Sequence, residues 1–193
     1  AFWSVPVFAR DEGQFGGPDP IPPRPDPRFP SPPTWETQLK EVAPNVYAYI
    51  QAGGPGRDNA SVANAGVIVG DKGVAVIDTL TAPMHAKAFI AAIRRVTDKP
   101  FTHVFLTHHH GDHINGTQYF DGAEVVSHPY CRDEVVKVAR AGGPAFWAKR
   151  EGWADGTERR TIVPPTATFD GKMTYHYGTT ILELWPMVPA HTY

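Results

Sequence analysis

The feature that most constrains this chain is a mid-sequence cluster of imidazoles, Thr107-His108-His109-His110-Gly111-Asp112-His113, directly behind the apolar run Thr102-His103-Val104-Phe105-Leu106. The apolar run reads as a buried strand, so its C-terminal end delivers the cluster to one place in the fold. His108 and His110 are two apart; in extended backbone they project to the same side, where both can reach one ion at roughly 2.0–2.1 Å. Gly111 lets the chain bend and turns Asp112 and His113 toward a neighbouring position, which gives two adjacent metal sites. Imidazoles with a carboxylate suit zinc best, and iron or manganese accept the same set. An expression-tag remnant would lie at a terminus, without Gly and Asp interleaved.

Around this cluster the sequence divides in two. Half of the 20 prolines precede Trp35. There backbone donors are missing and helix is excluded, so residues 1–36 read as a Pro-rich N-terminal extension rather than a domain. From Glu41 short β-rich runs begin. Val46–Ile50 reads as a strand, and 65–69 with 74–78 as a hairpin closed by Gly70-Asp71-Lys72-Gly73. A helix with Phe89, Ile93 and Val96 on one face follows, ending before Asp98-Lys99-Pro100. Residues 123–127 read as a strand and 133–140 as a helix; 173–177 and 181–185 are two strands hinged at Gly178-Thr179-Thr180. Strands mixed with helices point to a layered α/β domain.

Composition narrows the function. With 18 Lys+Arg against 20 Asp+Glu the chain has no basic stripe, so nucleic acid is not an expected partner. No run approaches the length of a membrane span, so no membrane partner is expected either. A soluble chain follows, exported after signal removal or cytoplasmic; the sequence leaves the compartment open. The single Cys131 excludes a cysteine-rich zinc module and reads as a core thiol.

Thr-His-x-His-x-Asp-His after an apolar strand resembles the hallmark of the metallo-β-lactamase-fold superfamily, and Val76-Ile77-Asp78-Thr79 looks like its first-hairpin signature. The resemblance runs from about Val46 to the chain end. It implies a metallo-β-lactamase-like αββα sandwich, with residues 37–193 as its N-terminal portion. In that family a His in a small-residue turn completes the first site, and Pro189-Ala190-His191-Thr192 fits the pattern. The resemblance therefore implies His108, His110 and His191 on the first metal, with Asp112 and His113 on the second. It places Asp78 beneath the site, bracing the metal-bearing loop. Family members add a bridging Asp and a final His after the third-His turn; neither follows His191 here, and Asp170 comes too early. The expectation is a first half of the fold, truncated after the third His ligand. A second chain or a C-terminal segment would complete the fold and the second site.

The expected activity is that of a zinc-dependent hydrolase. Metal-bound hydroxide would cleave an ester, lactone, thioester or amide (β-lactam) bond of a small-molecule substrate, with two Zn2+ per complete site. Asp112 would orient the hydroxide and pass a proton to the leaving atom. The aromatic segment 146–153, with Trp185 and Met187, either lines a cleft for an apolar substrate or packs the core. Two alternatives stand beside this: an iron enzyme of the same fold resembling persulfide dioxygenases, and a non-catalytic, metal-stabilised subunit.

Overall fold

The computed structural model describes residues 34–54, 59, 62–81, 83–142, 161–187 and 190–192. Its main sheet holds strands in chain order: β1 (Gln38–Ala43), β2 (Val46–Ile50), β3 (Ala65–Val69), β4 (Val74–Ile77), β5 (Phe101–Phe105), β6 (Glu124–Ser127) and β7 (Ala167–Thr168). Neighbours from β1 to β4 run antiparallel, and from β4 to β7 parallel. Two of the parallel steps carry a crossover helix, α1 (Pro83–Ile93) between β4 and β5 and α3 (Pro129–Arg140) between β6 and β7. A parallel pair needs such a crossover, because the chain must return to the starting edge.

Alternation along the strands sorts the core into two halves. Val76, Val104 and Val125 face one side and pack with Phe89 and Ile93 of α1 and Val135 of α3. Ala75, Phe105 and Val126 face the other and pack against a second, antiparallel sheet of β8 (Met173–Tyr177) and β9 (Thr180–Leu184), through Tyr175, Tyr177, Leu182 and Leu184. The described layers are therefore helix, sheet and sheet, the first three of the expected αββα sandwich. Phe89 anchors the helical side: its side chain is fully buried, 4.6 Å from the Tyr49 ring.

The sequence expectations hold for β2, β3 and β8 to the residue; β4 ends one residue early, β6 starts one residue late, and β5 and β9 lie one residue earlier than expected. Val96 departs from the reading: α1 stops at Ile93, so Val96 falls beyond the apolar face and is 46% exposed. Helix α3 starts four residues before the expected position, because His128 caps it by accepting from the Tyr130 N–H, with Pro129 in the first turn. Residues 1–33 of the proline-rich segment and the aromatic segment 146–153 lie outside the described residues. Trp35 is tied to the domain by backbone bonds of 3.0 and 3.2 Å to Gly53.

Candidate metal centre

The C-terminal ends of β4 and β5 lie side by side, and the site is built where both strands stop. Beyond β5 the chain runs through Thr107 to His110 and enters the short helix α2 (Gly111–Ile114), with His110 at its N-cap. His108 and His110 do not sit on a continuous strand, yet the bend brings their rings to 4.8 Å between centroids. Gly111 does not make a left-handed bend; a Cβ there would come within 2.8 Å of the Asn115 amide nitrogen, the end of a side chain that would have to shift.

Beyond β4 the backbone is unusual. Asp78 and Leu80 adopt φ of 59° and 67°, a region that suits Asp but is strained for a buried Leu. The neighbouring loop holds this shape: the Thr79 N–H and hydroxyl both donate to the His113 carbonyl, at 2.8 and 3.0 Å, and the Gly116 N–H donates to the Leu80 carbonyl at 3.1 Å. Conformed this way, Asp78 turns its carboxylate under the histidine loop. Its Oδ1 accepts the Thr107 N–H at 2.8 Å, and its Oδ2 accepts the Thr107 hydroxyl at 2.7 Å and lies 2.7 Å from His113 Nδ1. The resemblance implied Asp78 beneath this loop; in the structure its carboxylate contacts Thr107 and His113.

His191 reaches the same place from the far end of the described chain. Ligand atoms of His108, His110 and His191 all lie within 4.8 Å of one another. His191 Nε2 is 3.2 Å from His110 Nδ1. Two nitrogens bound tetrahedrally to one zinc at roughly 2.0–2.1 Å stand about 3.3–3.4 Å apart, so this pair already has close to the spacing a zinc ion requires. The donor set fits a divalent metal. Burial pushes the His108 pKa down to about 4, and the neighbouring His113 adds to the effect, so its imidazole is neutral and able to ligate at ordinary pH.

Asp112 and His113 adjoin this triad. The His113 ring is 4.1 Å from that of His108, and its Nε2 is 3.4 Å from Asp112 Oδ2. Burial opposes the charged form of each; hydrogen bonding and charge outweigh it, raising the His113 pKa to about 9 through Asp112 and Asp78 and lowering that of Asp112 through His113. All five expected ligand residues are thus brought together.

A model of the metallo-beta-lactamase superfamily matches residues 58–192. The chain belongs to that superfamily. Among solved structures it resembles a metallo-beta-lactamase from Pontibacter korlensis, with a TM-score of 0.56 and 16% identity over 78% of this chain and 60% of that one. It also resembles a stereoselective inverting sec-alkylsulfatase from Pseudomonas sp., with a TM-score of 0.52 and 20% identity over 77% of this chain and 27% of that one. In sequence it is 30% identical over 98 residues to a linear primary-alkylsulfatase of Pseudomonas sp., covering 47% of this chain and 18% of the sulfatase. The chain therefore spans only part of the length of each relative.

His103 serves elsewhere: it stacks on Phe105 and lies 2.6 Å from the Tyr177 hydroxyl, which ties the second sheet to the first. Cys131 is a buried thiol whose pKa burial pushes up to about 11, as suits a core position. Two residues had no role in the sequence reading, Thr79 and Thr107. A hydroxyl residue at the end of each apolar strand was the available signal. Among the described residues no helix is long and apolar enough to cross a membrane.

Proposed function

We propose that this superfamily member is a zinc-dependent hydrolase of a small-molecule ester, lactone, thioester or amide, with His108, His110 and His191 as ligands of the first metal and Asp112 and His113 of the second. The observation that carries this reading is the convergence of three imidazoles to within 4.8 Å, with Asp112 and His113 adjoining. A divalent ion in such a site lowers the pKa of bound water from about 15.7 to near 7 and so supplies a nucleophile at neutral pH. The chain's own residues supply geometry and proton transfer. Asp112, held ionised by His113, accepts the proton of the attacking water and delivers it to the leaving atom.

Asp112 and His113 make an incomplete donor set for a second ion. In this reading residues 37–193 are the N-terminal portion of the domain and 1–36 an extension. Beside His108 and His191 opens a cleft of about 460 Å³ walled by Phe105, Leu184, Trp185 and Met187. Trp185 and Met187 are 57% and 73% exposed, which supports the cleft reading over the core reading and favours a substrate with an apolar portion. The alkylsulfatase relatives add sulfate esters to the candidate bonds.

The deciding experiment is a hydrolysis screen of the zinc-loaded protein across lactones, thioesters, β-lactams, aryl esters and alkyl sulfates. Turnover of one class that is lost on chelation supports the proposal. A protein that holds zinc yet turns over none of them fits the non-catalytic subunit instead, and bound iron with persulfide oxidation fits the dioxygenase.

A further inference from the structure

The Thr107 side chain is open to solvent, caps no helix and closes no turn, yet its hydroxyl has two partners. It donates to Asp78 Oδ2 at 2.7 Å and lies 3.0 Å from His108 Nδ1. A hydroxyl has one hydrogen to give, and a carboxylate oxygen can only accept. With that hydrogen committed to Asp78, the Thr107 oxygen faces His108 as an acceptor, so the proton of a neutral His108 ring sits on Nδ1. The lone pair is then on Nε2, the nitrogen left for the ion. The same Asp78 Oδ2 also meets His113 without an intermediary, at 2.7 Å from its Nδ1, while His113 Nε2 faces Asp112.

We infer that Thr107 is a positioning residue: its hydroxyl relays the Asp78 carboxylate to His108 and fixes the tautomer and ring orientation of a first-metal ligand, while the same carboxylate oxygen fixes His113. One buried oxygen atom thereby orients an imidazole of each metal position. The two positions are coupled through it: loosening the relay at Thr107 disturbs His108 directly and changes the hydrogen bonding of the oxygen that holds His113. This inference rests on the ligand assignment proposed above. An imidazole held in the wrong tautomer must break a hydrogen bond before it can bind metal, and partners of this kind typically contribute roughly 10–100-fold in metal affinity.

The test compares Thr107→Val, which keeps the shape and removes the hydroxyl, with Thr107→Ser, which restores it. Zinc affinity is read by competition with a chromophoric chelator, and the His108 tautomer in the metal-free protein by long-range 1H–15N imidazole correlation spectra. Wild type and the Ser variant are expected to show the Nδ1–H form of His108 and to bind zinc alike. The Val variant is expected to show mixed tautomers and to bind zinc roughly 10–100-fold more weakly. A Val variant with an unchanged His108 tautomer overturns the inference, as does a Ser variant as weak as Val. If wild type itself binds no zinc, the ligand assignment has failed; if wild type binds zinc and Val matches it, the assignment stands and only the relay has failed.

Discussion

Replacing Asp78 with Asn changes few atoms, and the geometry dictates how the change propagates. Asp78 is 4% exposed, and its two oxygens serve the Thr107 N–H, the Thr107 hydroxyl and His113 Nδ1. The backbone N–H of Thr107 can only donate, so the carboxamide oxygen of Asn must take the Oδ1 place and its NH2 must take the Oδ2 place. There the NH2 meets two groups that had faced an acceptor. The Thr107 hydroxyl can rotate and accept. His113 must give up the proton on Nδ1 and keep one on Nε2, the nitrogen that faces Asp112 and the second metal position.

Asn tolerates the left-handed φ of 59° as Asp does, so the backbone is not challenged. The expected stability loss in the metal-free protein is that of weakened charge-assisted bonds, about 1–3 kcal/mol by urea unfolding. Zinc affinity is expected to fall roughly 10–100-fold by competition titration, because the wrong tautomer is presented. Asp78→Ala adds the left-handed backbone cost, about 1–2 kcal/mol, to the loss of every acceptor. An Asp78→Asn protein that binds zinc as tightly as wild type, at any stability, would refute the reasoning.

His110→Ala removes one donor of three at the first site and is expected to abolish activity and most zinc binding, measured by turnover and metal content; full retention of either would rule out His110 as a ligand. Chelator treatment is expected to inactivate the protein and added zinc to restore it, followed by rate recovery against free zinc; activity that survives full metal removal would contradict the proposed chemistry. Gly116→Ala places a Cβ 2.0 Å from the Thr79 carbonyl oxygen, so the loop beneath the site must shift at a cost of about 1–3 kcal/mol or more. An unchanged thermal midpoint for that variant would mean the loop is looser than its hydrogen bonds imply. Phe89→Ala empties the centre of the helical core and is expected to cost about 3–5 kcal/mol in urea unfolding, without altering zinc affinity in the folded state.

Much of this was legible in the sequence because the relevant signals are local. The runs 46–50 and 65–69 carry their strand character in β-branched and aromatic residues, and the structure keeps both bounds. The histidine cluster announced its chemistry through residue type alone. What stayed hidden is set by contacts between distant segments. Strand β1 is exposed at every position but Leu39, apolar Val42 and Ala43 included, and is held by pairing with β2, so its own pattern is weak. Strand β7, of two residues, exists only because β6 offers it an edge. Val96 kept a helical spacing past the point where the helix ends, which periodicity cannot register. Gly111 was read as a hinge because its close neighbour, Asn115, is a partner only once α2 has formed. Thr107 gained its role from Asp78, a residue 29 positions earlier, just past the end of β4.

The most direct measurement is an anomalous-diffraction map from zinc-loaded crystals of the protein, collected above and below the zinc edge. The expected peak lies between His108, His110 and His191, roughly 2.0–2.1 Å from one nitrogen of each ring. A peak bound by other groups, or no peak between these three rings at saturating zinc, would contradict the claim on which the proposed chemistry depends.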